Sequence, residues 1–446
     1  MSRRDTLLHH ATQRTPRYTS YPTAPHFHEG VDAAMLTGWL QALDPVRPVS
    51  LYVHVPYCRS LCWYCGCNTR ATTRAEPVAA YLERLLAELD LLTARLPGRM
   101  QVSHFAMGGG TPAILSPDQI TRLMDAVRAR FEFLPGTELS IEIDPRHFTR
   151  ADADGLARNG FTRASTGVQS FDPAVQAAIN RIQPWELAAI AFDRLREAGV
   201  NAINIDLLYG LPRQSVASAR ASAEAAADLM PDRLAVFGYA HVPHMMTHQR
   251  LIRDEDLPDA RGRLDQADAM ESALLAAGYQ TIGIDHYARP EDAMALALAA
   301  GTLKRNFQGY TTDPSDTLLG LGASAISALP QGYVQAHSDV RAWGQSVEDG
   351  RLPARRGVAL TPQDRMRRAV IEQLMTYFEA DPAAIAAAHG LPAPQANLSA
   401  LEQAGIVMRE GARIRIAPGY RPLARLAAAA FDAYLSEGAA RHSVSV

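Results

Sequence analysis

Residues 51–69 read LYVHVPYCRSLCWYCGCNT, and this stretch holds every cysteine of the chain: Cys58, Cys62, Cys65 and Cys67. A β-branched and aromatic run ends at Pro56, as a strand does, and thiols spaced C-x3-C-x2-C-x-C follow. Disulfides at such spacings would close only tiny rings, whereas a disulfide framework spreads its cysteines to close long ones. A metal or redox centre in a reducing compartment suits the spacing. Zinc sites usually combine two separated knuckles. An iron–sulfur cluster accepts one tight thiolate loop, and one used only for electron transfer normally takes four cysteines. Cys67, a single residue beyond Cys65, is too close to be an obvious fourth corner. Three thiolates on a [4Fe–4S] cluster leave one iron open, which is a place for chemistry.

Outward from this loop, strand and helix patterns alternate. Strands are expected at 49–56, 102–110, 138–145, 163–170, 201–212 and 233–242, with helical patterns between them at 77–96, 116–131, 150–160, 173–199 and 215–230. Ser116 with Gln119 makes a capping box for the second helix. Six βα units joined by right-handed crossovers define an α/β fold with parallel strands. No dinucleotide fingerprint appears, so a partial (β/α)6 barrel is expected rather than a doubly wound sheet, with its site at the C-terminal strand ends. Beyond residue 245 come a helix near 260–278, one short strand in QTIGIDHY and glycine-rich pieces. From about 357 helices, two short strands around REGAR and a last helix resemble a winged-helix module. The expected domains are an extension over the active site at 1–45, without strong periodicity, the barrel with its own extension at 46–330, and a mainly helical, winged-helix-like domain at 331–446.

The 446 residues carry a formal charge of −3 and 47% hydrophobic residues. There is no basic field for nucleic acid, and no run of 18 apolar residues or signal peptide. A cytoplasmic monomer with no nucleic-acid or membrane partner is expected. Lys304 is the only lysine. The segment HVPHMMTHQR (241–250) carries three histidines and two methionines, which are iron-ligand types; it is expected to pack over the active site rather than bind metal.

The cysteine spacing, with Tyr64 before the third thiol, resembles the radical SAM superfamily, whose open iron binds S-adenosylmethionine. GGGTP (108–112) resembles that superfamily's glycine motif. PRYTSYPT, LYVHVPYC, CGC, SIEIDPR, GVQSF, NIDLLYGLP, YAHVP, DHYARP, RNFQGYTT and LGLGASAIS are together similar to the oxygen-independent coproporphyrinogen III oxidases, over nearly the whole chain. PRYTSYPT, the fourth cysteine and the long 357–446 region separate it from the related haem chaperones. The resemblance implies that Cys58, Cys62 and Cys65 ligate the cluster and that Cys67 does not. It implies two S-adenosylmethionine molecules. The first falls on Tyr52, Gly109, Glu142 and Ile326; the second on Tyr64, Gly110, Thr111, Gln169, Arg181, Asp206 and Ala240. The implied reaction is radical oxidative decarboxylation of two propionates of coproporphyrinogen III to vinyl groups, fed by a low-potential donor such as a flavodoxin or ferredoxin. Arg17 and Arg305 are substrate-side candidates, because a substrate with four carboxylates calls for arginine, and Phe307 and Gln308 resemble family positions near the reacting centre. The alternatives are another radical SAM tetrapyrrole enzyme, a haem chaperone, a non-catalytic metal carrier and a winged-helix regulator.

Overall fold

The computed structural model describes residues 2–11 and 13–435. Six strands follow one another in parallel register: β1 (Val49–Val55), β2 (Gln101–Gly109), β3 (Glu132–Ile143), β4 (Arg163–Gln169), β5 (Ala202–Tyr209) and β6 (Arg233–Gly238). A seventh, β7 (Leu318–Leu321), pairs in parallel with the free side of β1. Antiparallel strands extend both ends, so the sheet has twelve strands and an open order, as a partial barrel requires. Between the parallel strands lie α1 (Ala75–Thr93), α2 (Pro117–Arg130), α3 (Arg150–Arg158), α4 (Trp185–Ala198) and α5 (Val216–Asp228).

The pattern explains the layering. Leu82, Leu85, Leu89 and Leu92 share one face of α1 and are buried, the stripe a helix needs to cover a sheet. The strands are buried on both sides, with Leu51, Val53 and Val55 of β1 fully enclosed, as parallel strands are. The capping box of α2 is present: the Gln119 N–H donates to Ser116 Oγ at 3.3 Å, and the Ser116 N–H donates to Gln119 Oε1 at 2.9 Å.

Several expectations change. QTIGIDHY forms a hairpin, Gln280–Ile282 against His286–Ala288, which closes on β6; Gly283 with φ +57 makes the reversal. The third strand begins six residues early, at Glu132. The segment 173–199 is two helices, Pro173–Ala178 and α4, separated by a loop that carries Arg181. Residues 1–45 hold two helices, Arg3–Ala11 and Ala33–Gln41; the second is capped by Asp32, which repeats no long apolar period. The boundary expected at 330 cuts the hairpin Ile326–Leu329/Gly332–Ala336, and the sheet runs on to Ala359. After it, helix Pro362–Thr376, strand Glu379–Ala380, helices Pro382–Ala388 and Ser399–Gln403, and hairpin Val407–Glu410/Arg413–Ile416 form a separate core. That order is compatible with the winged-helix-like reading. The last helix is short, Ala424–Ala429, and residues 436–446 lie outside those described.

Candidate active site

The loop after β1 brings the four cysteines to the C-terminal edge of the sheet, all as free thiols, with Cys62 buried and Cys67 exposed. They line a cavity of about 200 Å³. Its donors are aimed at sulfur. Thr111 Oγ1 donates to Cys58 Sγ at 3.4 Å, and Thr69 Oγ1 lies 3.3 Å from the same atom. Arg181 Nη1 donates to Cys62 Sγ at 3.4 Å, and the Cys67 N–H to Cys65 Sγ at 3.4 Å. Arg146 Nη2 reaches Cys62 Sγ at 3.8 Å. Hydrogen bonds to sulfur are a main lever on cluster potential.

The glycines close the other wall. Gly109 has φ +113, and a Cβ there would sit 2.5 Å from the His54 ring. A Cβ on Gly110 would sit 2.6 Å from the Tyr57 carbonyl oxygen, and one on Gly108 would sit 2.9 Å from both Glu142 Oε1 and the Tyr52 hydroxyl. Only glycine brings main chain that close. The Gly109 N–H donates to Glu142 Oε2 at 3.1 Å. Burial, and then the field of Asp206, push the Glu142 carboxyl up to about 7; burial raises Asp206 to about 6. Two buried acids side by side invite a cation. Gln169 reaches the same cavity through a register slip between β4 and β5 and a backbone φ of +70.

A second cavity of about 510 Å³ fills the barrel centre and shares Glu142 and Asp206 with the first. Tyr52 and Ile326 line it. A third, of about 240 Å³, shares Phe237, His286, Phe307 and Gln308 with the second, and contains Arg17, Arg305 and Ala240. The residues expected from the sequence therefore all lie along one line of cavities. Tyr64, Gly110, Thr111, Gln169 and Arg181 meet at the thiols, Asp206 bridges to the barrel centre, and Ala240 stands apart from them in the arginine cavity. The segment 241–250 packs on the cysteine loop: His248 Nε2–H donates to the Cys65 carbonyl at 2.7 Å, and Gln249 Nε2 to the Tyr64 carbonyl at 3.0 Å. Sequence reasoning passed over Thr69 and Arg146, although both stand in the quoted stretches or motifs. It also passed over Arg263 and Arg425 in the third cavity, which carry no local signal.

The model of the radical SAM superfamily matches residues 52–225, so fold and thiol cavity define a radical SAM protein. An oxygen-independent coproporphyrinogen III oxidase of Bradyrhizobium diazoefficiens is 47% identical over 450 residues, covering 100% of both chains. One from Paracoccus denitrificans is 43% identical over 97% of both. The solved structure of coproporphyrinogen III oxidase from Escherichia coli, described as a radical SAM enzyme, superposes with a TM-score of 0.89 at 38% identity, covering 95% of this chain and 100% of that one. The chain belongs to the oxygen-independent coproporphyrinogen III oxidase family.

Membership in this class implies a [4Fe–4S] cluster and S-adenosylmethionine. The residues present suit both. Four free thiols line one cavity, and three of them receive hydrogen bonds at sulfur, as thiolate ligands of a cluster do. Arg181 Nε, buried and without a hydrogen-bond partner, and the close-approach glycines leave a polar cradle beside the sulfurs. No helix among the described residues is long and apolar enough to cross a membrane.

Proposed function

We propose that the chain converts two propionate side chains of coproporphyrinogen III to vinyl groups, giving protoporphyrinogen IX without oxygen, in haem synthesis. The observation that supports this reading most is the line of three adjoining cavities, with thiols at one end and arginines at the other. Cys58, Cys62 and Cys65 hold the cluster with one iron open, and Cys67 contributes its backbone N–H to Cys65. When bound, the cluster and two S-adenosylmethionine molecules supply hydrogen-abstracting radical chemistry.

The chain's own residues orient and shield. Glu142 and Asp206 accept from the cationic and hydroxyl groups of the cofactor. Gly109 and Gly110 let its methionine part lie against main chain, and Tyr52 and Ile326 wall the first molecule. Tyr64, Thr111, Gln169 and Arg181 surround the second, with Ala240 beyond them. Arg17 and Arg305 meet substrate carboxylates, and Phe307 and Gln308 sit where the second and third cavities join. Each propionate would give one hydrogen atom to the cofactor-derived radical and then release CO2, passing one electron to a one-electron acceptor, and a low-potential donor such as a flavodoxin or ferredoxin would prime each cycle. The N-terminal residues 1–45 close over the substrate side.

The test is anaerobic turnover of reconstituted protein with dithionite, S-adenosylmethionine and coproporphyrinogen III, read by mass. Two successive losses of CO2 and two hydrogens with formation of 5′-deoxyadenosine are expected. Cofactor cleavage with untouched porphyrinogen would redirect the reading to another tetrapyrrole.

A further inference from the structure

The third cavity holds more positive charge than the candidates Arg17 and Arg305 explain. Arg263, from helix Ala260–Ala276, and Arg425, from the C-terminal helix Ala424–Ala429, line the same 240 Å³. Arg305 is turned inward with Nε and Nη1 buried and without hydrogen-bond partners, and its guanidinium lies 4.6 Å from the Tyr310 ring centroid. Arg263 lies over Tyr209 at 5.5 Å. Two glycines make room for it: a Cβ on Gly238 would stand 2.9 Å from Arg263 Nη2, and one on Gly210 would overlap Nη1.

Arg425 is the most telling of the four. Among the described residues it has no ion pair, and its neighbours include the like charges Arg17 and Arg305. Burial and the Arg17 charge both pull its pKa down, yet an arginine stays charged. Three acids line the cavity too, Asp268, Glu271 and Asp285. Asp285, whose field reaches Arg425, is already paired with His286 at 2.7 Å. Four guanidiniums share this partly dry cavity with three acids, and gathering them there is costly; an anionic ligand relieves that cost through charge-assisted hydrogen bonds.

We propose that Arg425 and Arg263 bind carboxylates of the substrate, so that the C-terminal segment supplies part of the substrate site. The inference rests on the porphyrinogen reading above. The substrate carries four carboxylates and only two react. The barrel centre separates the arginines from the thiols, so the arginines hold side chains that are not reacting at that moment. Binding energy from such remote groups orients the reacting carbon.

Full-length reconstituted enzyme, Arg425→Gln, Arg425→Lys and Arg263→Gln are compared in two measurements. The first is KM for coproporphyrinogen III. The second is fluorescence titration with coproporphyrin III and with its tetramethyl ester, which lacks the charges. The wild type should prefer the free acid. Arg425→Gln should weaken free-acid binding and raise KM about tenfold, the scale of one charge-assisted hydrogen bond. Ester affinity should be unchanged, and Arg425→Lys should recover part of the loss. Arg263→Gln should act in the same direction. Wild-type free-acid affinity and KM in Arg425→Gln would overturn the proposal while leaving the function intact. A wild type that neither binds coproporphyrin nor turns over coproporphyrinogen would overturn both. If Arg425→Gln lost ester binding as well, it would be misfolded, and Arg263→Gln would decide: wild-type free-acid affinity and KM in that variant would overturn the proposal.

Discussion

Cys67 differs from its three neighbours in what it touches. Its N–H points at the Cys65 sulfur, while threonines and an arginine serve Cys58 and Cys62. Cys62→Ser is therefore expected to lose the cluster, read as iron content and visible absorbance after reconstitution, while Cys67→Ser keeps it. Loss of the cluster from Cys67→Ser would mean four-thiolate ligation, and a carrier. Gly109→Ala tests the other wall. With φ +113 and a Cβ 2.5 Å from His54, the variant is expected to cost about 1–3 kcal/mol of backbone strain. S-adenosylmethionine affinity should fall at least about tenfold, with the cluster retained. The thiol spacing and GGGTP were legible because each is a local run that chemistry constrains. Thr69 and Arg146 were within reach of the same argument. Arg263 and Arg425 were not, since a lone arginine on an amphipathic helix looks like a solvated face until the fold turns it inward.

Among the elements, α1 and the turn after β7 are tied through a buried acid. Glu88 Oε2 accepts from the Gly322 N–H at 2.7 Å and from Trp343 Nε1 at 3.1 Å. Beside it, the Tyr81 hydroxyl donates to the His54 carbonyl at 2.7 Å and accepts from the Ala323 N–H at 2.9 Å. This brace holds the end of β1 against the turn that leads to Ile326. Burial pushes the Glu88 carboxyl up to about 8. Between its ordinary value and 8 the native state holds a proton that the unfolded chain releases, so Glu88 costs stability as pH rises through that window, at about 1.4 kcal/mol per unit, and no further above it. Glu88→Gln keeps an acceptor without the titration. Its melting temperature relative to wild type is expected to climb from pH 5 to pH 8 and then level off; a constant difference would place the charge elsewhere. The six βα units could be read from periodicity, because each strand and helix buries a face of its own. The hairpin at 280–288 and the strands out to Ala359 could not. They are short, and pairing partners distant in sequence decide them.

Across the whole molecule the segments 17–21 and 422–433 meet over the third cavity. Leu7, Tyr18 and Tyr21 of the N-terminal extension sit in the C-terminal core with Leu374, Ile414 and Phe431. The Tyr18 hydroxyl donates to Asp432 Oδ2 at 3.0 Å, and the Ala433 N–H donates to the Tyr21 hydroxyl at 2.9 Å. Tyr18 takes a left-handed backbone, φ +48, directly after Arg17, whose Nη2 donates to the Gly238 carbonyl at 3.3 Å. The tie to Asp432 thus aims Arg17 into the cavity, and it does so without touching the thiols. Tyr18→Phe and Asp432→Ala remove the same bond from opposite sides. Each is expected to raise KM for coproporphyrinogen III several-fold. The double variant should be no worse than either single one, because groups sharing one interaction are not additive. Cluster content and slow substrate-free cleavage of S-adenosylmethionine should stay at wild-type level, since the thiol cavity is built from the barrel. Additive losses would mean that the two residues act separately, and a fall in cluster content would mean that the contact between Tyr18 and Asp432 supports the barrel itself.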